Sequence, residues 1–155
     1  MDRIPITKKG YEVLKKELNN LKKVERPQNI KAIEEARAHG DLSENAEFDA
    51  AKDRQGFIEG RIGELTFKLA NADIINTDKL PRDRAVFGSK VVIENLDTGE
   101  NVEYQLVGPE ESDIEKGRIS VSSPLGKEIV GKKPGDEFTL QVPAGRRNFE
   151  LIEIL

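Results

Sequence analysis

Two apolar stripes in the first half of the chain run as mirror images of each other, and that symmetry leaves few folds open. From Phe48 the seam positions are Phe48, Ala51, Gln55, Ile58, Ile62, Leu65 and Leu69. Their intervals alternate between three and four, the spacing that holds one side of a helix against a partner. Upstream, Leu14, Leu18, Leu21, Val24, Ile30, Ile33 and Ala36 make a similar but less regular stripe. Leu14 matches Leu69, Leu18 matches Leu65 and Leu21 matches Ile62, each pair of residue numbers having the same sum. Ile33 with Ala51 and Ala36 with Phe48 sum to one more. Arms related in this way fold back near residues 41 and 42. Gly40 suits a helix C′ position there, and Asp41-Leu42-Ser43-Glu44 can open the next helix. The pattern predicts an antiparallel coiled-coil hairpin with arms roughly 40 Å long at 1.5 Å per residue. Pro27 removes an interior hydrogen bond from the first arm and faces Gln55 and Gly56 in the second. It reads as a local break in both arms, either a tolerated kink or a hinge.

The second half changes period. Lys90–Leu96 alternates, meets a turn at Asp97-Thr98-Gly99, and resumes through Val102, Tyr104 and Leu106, which predicts a β-hairpin. Ile119 and Val121 mark a short strand. Ser123-Pro124 is an N-cap followed by Pro at the first helical position, so a short helix is expected as far as Val130, stopping at Gly131. Strands are expected over Phe138–Val142 and Phe149–Ile154, with turns at Pro134-Gly135-Asp136 and Ala144-Gly145. The expected fold class is α+β: a coiled-coil hairpin over 1–77, then over 78–155 a small antiparallel sheet carrying one helix.

Composition narrows the function. The chain has 155 residues, of which 36% are hydrophobic and 35% charged, so a thin core with much exposed helix is expected. It has no cysteine for disulfides or thiolate metal sites, and the lone His39 cannot make a zinc site. No apolar run is long enough to span a bilayer, and there is no signal-peptide pattern; a cytoplasmic, non-membrane protein is expected. The net charge of −4 lies wholly in the second half, and a protein gripping nucleic acid alone would carry a basic excess instead.

Asp41 and Glu44 admit two readings. As N-cap and third residue of a helix they form a capping box. As carboxylates at the apex of a long stalk they could act inside another machine. Magnesium takes six oxygen ligands and is usually held by one or two carboxylates with waters and phosphates, so two exposed acids are an incomplete site awaiting a partner's ligands. In a two-metal site such ligands would steady the second ion, which activates water or the leaving oxygen.

The stretch Ala36-Arg37-Ala38-His39-Gly40-Asp41-Leu42-Ser43-Glu44-Asn45-Ala46-Glu47-Phe48, with Gln55-Gly56-Phe57-Ile58-Glu59-Gly60-Arg61-Ile62 after it, resembles the bacterial Gre transcript-cleavage factors of the GreA type. Phe87-Gly88-Ser89-Lys90-Val91 and Ser123-Pro124-Leu125-Gly126-Lys127 extend the resemblance over the whole chain. It implies a monomeric activator of bacterial RNA polymerase rather than an enzyme. The coil would enter the polymerase secondary channel, and the C-terminal domain, similar in fold to FK506-binding proteins, would dock at the channel rim. Asp41 and Glu44 match the family's tip acids, which help hold the second catalytic Mg2+, shared with the polymerase, and its attacking water. Backtracked RNA is then cut near its 3′ end. Arg37, Lys52 and Lys31 match a basic patch that contacts this nascent RNA, although surface pairs Glu34–Arg37 and Asp49–Lys52 at i, i+3 account for two of them equally well. His39 fits a helix end favoured by the dipole; Ser43 is a cap or a hydrogen-bond partner near the water. The rival classes are a peptidyl-prolyl isomerase, a channel-binding inhibitor and a free-standing nuclease. The scarcity of aromatics, the retained tip acids and the incomplete metal site argue against them in turn.

Overall fold

The computed structural model describes residues 3–41 and 45–155. In chain order the elements are β1 (Ile4–Thr7), α1 (Lys8–Asn20), a π-helical turn (Leu21–Glu25), α2 (Arg26–Arg37), α3 (Ala46–Ala70), β2 (Ala72–Ile75), β3 (Lys90–Asn95), β4 (Asn101–Val107), β5 (Arg118–Ser120), α4 (Pro124–Ile129), β6 (Glu137–Val142) and β7 (Gly145–Ile154). They fall into two compact units. One is Tyr11–Asn71; the other joins the segment up to Gly10 with Ala72–Leu155. This partition differs from a division between residues 77 and 78 because β1 and β2 go with the sheet.

The helical unit is the hairpin that the mirrored stripes predict. Leu14, Leu21, Ile33 and Ala36 on the first arm are buried, as are Ala51, Ile58, Ile62 and Leu65 on the second. Burying each Leu or Ile contributes about 1.5–3 kcal/mol, so the seam supplies most of what keeps the arms together. Across its edges run charged pairs. Arg61 Nε and Nη2 meet Glu17 at 2.5 and 3.0 Å, Arg26 grips Glu59 at 2.8 and 2.9 Å, and Arg54 pairs with Glu25. Hydrogen bonding to Glu17 raises the Arg61 pKa further above its ordinary value.

Two expectations for the first arm are corrected. Val24 and Ile30 do not lie on the seam: they are 43% and 47% exposed, and Asn29 is buried instead. The cause is the π turn, in which Arg26 N–H donates to Leu21 O, five residues back. A π turn holds one residue more than an α turn, so every position beyond it rotates. That extra residue also accounts for the pair sums rising by one between Leu21–Ile62 and Ile33–Ala51. Nor do both arms break. The first arm bulges just ahead of Pro27, which then sits in the opening turn of α2 where a missing N–H costs least. The second arm runs unbroken as α3 through Gln55 and Gly56.

In the other unit, β1 and β2 pair in parallel, Ile4 opposite Ala72, while the main sheet has the order β5-β4-β3-β7-β6. This sheet is mixed, not wholly antiparallel: β5 runs parallel to β4, with Leu106 opposite Ile119. Alternation sends Val91 and Ile93 inward with Leu106, Ile129 and Leu151, and the Phe138 and Phe149 rings stack at 5.5 Å. As the sequence predicts, Ser123 caps α4, its hydroxyl accepting from Gly126 N–H at 3.1 Å.

Candidate functional site

The turn between the arms begins where α2 runs out. Its C-cap is Ala38, and Gly40 follows with φ +96, the left-handed conformation that reverses the chain without a Cβ clash. Asp41 is next, exposed to solvent. Glu44 and Ser43 lie outside the described residues. The helix that follows does not begin at Asp41. Its N-cap is Asn45, whose Oδ1 accepts from Phe48 N–H at 3.0 Å, and Glu47 and Asp49 supply the acids of its first turn. The capping box read across Asp41 and Glu44 is therefore not how α3 starts: an N-cap carboxylate at 41 would precede the real cap by four residues.

The other tip residues are placed as follows. Arg37 is the last residue of α2 and is exposed. Lys52 stands on α3 directly after Ala51, a seam residue; its Nζ donates to Gln55 Oε1 at 2.9 Å. Lys31 lies 4.0 Å from Glu35. Among the described residues, neither Glu34–Arg37 nor Asp49–Lys52 forms an ion pair, so the surface pairing expected for Arg37 and Lys52 is absent. His39 Nδ1 lies 3.2 Å from Glu47 Oε2, spanning the turn. Among the described residues no three His, Asp or Glu side chains converge as metal ligands. A divalent cation held by Asp41 and Glu44 would have to take most of its six oxygens from elsewhere.

Asn45 is the residue that sequence reasoning missed. The signal was present: an Asn three residues ahead of the first seam residue of α3, with acids immediately after it. It was masked by Asp41 and Ser43, both good caps, a little upstream.

The sheet unit also holds a cavity of about 260 Å³ whose lining includes Ile93, Val102, Tyr104, Leu125, Leu140 and Phe149. It falls below the ~300–1,000 Å³ usual for small-molecule sites, and Asn95, Glu100 and Arg147 add polar groups to its lining.

Two family models together make the chain a transcription elongation factor. The model for "Transcription elongation factor, N-terminal" matches residues 4–74, and that for "Transcription elongation factor, GreA/GreB, C-term" matches residues 80–155. The chain belongs to the GreA/GreB family. It is 54% identical over 153 residues to transcription elongation factor GreA of Thermodesulfovibrio yellowstonii, covering 99% of this chain and 97% of that one. With its counterpart from Syntrophobacter fumaroxidans it shares 53% over 154 residues, 99% of each. Among solved structures, GreA factor homolog 1 of Thermus thermophilus is 31% identical, with a TM-score of 0.44 and 99% of each chain covered. Among the described residues no helix is long and apolar enough to cross a membrane.

Proposed function

We propose that the protein enters the secondary channel of bacterial RNA polymerase and stimulates the polymerase's own cleavage of backtracked RNA. The hairpin carries Asp41 and Glu44 to the polymerase active centre, and the sheet domain docks at the channel rim. The single observation that carries this reading is the cap: α3 opens on Asn45, whose Oδ1 accepts from Phe48 N–H, so Asp41, four residues ahead and exposed at the turn, is not the N-cap of that helix. The chemistry of Asp41 and Glu44 favours the same conclusion, since two carboxylates complete a metal site only with ligands from a partner. A Mg2+ held jointly would supply an activated water and charge stabilisation at the leaving oxygen. Asp41 and Glu44 would orient and neutralise there; they hold no substrate alone. Arg37 and Lys52, without the acidic partners expected of them, would attract the phosphates of the extruded 3′ segment of nascent RNA. On this reading the protein is a cytoplasmic, monomeric activator, with no cofactor of its own.

The test is a cleavage assay on stalled, backtracked polymerase with the double variant Asp41→Asn, Glu44→Gln. Since α3 is capped elsewhere, its helix content and melting should match wild type. It should bind polymerase, compete with the wild-type protein, and fail to stimulate cleavage, because neutral amides are poor ligands for a hard dication. Undiminished stimulation by the folded variant would end the proposal. Without polymerase, the wild-type protein should leave RNA intact in Mg2+.

A further inference from the structure

One side chain at the turn bonds to both arms. Asn45 Nδ2 donates to Ala36 O at 2.7 Å, reaching back nine residues into the first arm, while its Oδ1 accepts from Phe48 N–H in the second. Ala36 O takes that donor in place of a helical one. In a continuing helix Gly40 N–H would bond it, but Gly40 N–H goes to Arg37 O at 3.1 Å. A bond from His39 N–H at 3.2 Å occupies one lone pair of Ala36 O, and Ala36 is only 1% exposed, so water is a poor substitute for the amide. One amide group thus bonds to both arms, and Asp41 lies in the chain between Ala36 and Asn45.

We infer that Asn45 is a positioning residue for cleavage: its bridge to Ala36 sets where Asp41 stands at the polymerase centre. The inference rests on the function proposed above. Two duties of the side chain can be separated chemically. Asp and Ser rank with Asn as N-caps, so either keeps the bond to Phe48. Neither keeps the bridge: a carboxylate sets a negative oxygen against the Ala36 carbonyl, and the serine hydroxyl is one bond too short to span both groups. The bridge therefore requires the amide, whereas the cap does not.

The experiment compares full-length Asn45→Ser and Asn45→Asp with wild type on backtracked complexes, titrating both protein and Mg2+. Helix content should stay near wild type, because the cap survives, and melting should fall only modestly, by the one lost hydrogen bond. The half-saturating protein concentration should hold within about twofold, while the maximal cleavage rate falls roughly 10- to 100-fold, as displaced catalytic ligands do. The Mg2+ concentration for half-maximal cleavage should rise in Asn45→Ser, a change that loss of generic stability would not produce. If one variant fails to fold, the other decides. A wild-type maximal rate, or a deficit confined to half-saturation, overturns the inference. Asp41→Asn, run in parallel, keeps the two ideas apart. Full cleavage by Asp41→Asn defeats the role of the tip acids. An inactive Asp41→Asn beside a fully active Asn45→Ser defeats only the positioning role.

Discussion

Glu111 shows how much a single carboxylate can organise. It accepts from Thr7 N–H at 3.1 Å and from Gly108 N–H at 3.3 Å, and it takes the Thr7 hydroxyl, whose oxygen accepts from Gly10 N–H at 3.0 Å. The end of β1 is thereby tied to the turn after β4. This close approach needs glycine: a Cβ at 108 would lie 2.0 Å from Pro5 O, which is backbone and cannot swing aside. Gly108→Ala should destabilise the sheet unit by about 1–3 kcal/mol, measured by denaturant unfolding. Glu64 offers a test against pH. Hydrogen bonding to Lys68, then to Arg61, depresses its pKa from 4.5. A depressed carboxylate adds stability that is present above its unfolded pKa and is lost as pH falls through the folded value. The hairpin should therefore weaken below pH 4.5. Glu64→Gln should flatten that part of the acid-unfolding curve, and an unchanged curve would mean that the pair is inert. Single residues were also where the sequence was hardest to read. Asp41, Ser43 and Asn45 are all good caps, and only hydrogen-bond geometry separates the one that caps.

Whole elements were more legible. The two arms and their turn follow from apolar spacing, since a stripe buried along one side of each helix dictates both pairing and direction. The π turn was legible as well, though only as a discrepancy: twelve residues separate Leu21 from Ile33, while eleven separate Ala51 from Ile62. One arm must hold a residue more over the same length, and the π turn is where it does so. It sits beside Pro27 because a wide turn spares the pyrrolidine ring its clash with the preceding carbonyl. Deleting Lys23 alone should therefore force Pro27 into an ordinary helix interior and cost ~3 kcal/mol. Deleting Lys23 in a Pro27→Ala background should give a straight helix with the seam intact, melting at or above Pro27→Ala itself. Thermal unfolding of the four proteins measures this coupling; additive effects would disprove it. Ile62→Asp, which sets a charge into the seam opposite Leu21, should cost several kcal/mol in any background.

At the scale of the molecule, the sheet unit is discontinuous. The chain leaves it after Gly10 and returns at Ala72, so the hairpin is an insertion between two paired strands. This was not legible in advance. Ile4–Thr7 and Ala72–Ile75 are four residues each, and parallel partners far apart in sequence leave no turn signature between them. The three residues of β5 hid their parallel pairing in the same way. Ile6 anchors the first strand at 1% exposure, and Ile6→Ala should destabilise the sheet unit by roughly 2–5 kcal/mol, read from its chemical denaturation. The insertion also fixes an order of events in time. β1 cannot find β2 until the chain between them has been gathered in, and closing so long an open loop carries a heavy entropic cost. The hairpin's own contacts begin at its turn and zip outward, each step bringing its two ends closer. Folding should therefore run from the turn toward the sheet, with β1–β2 amides protected from hydrogen exchange after those of α2 and α3. Weakening the seam near the tip, as in Ile33→Ala, should then slow the completion of a sheet that contains none of the altered residues.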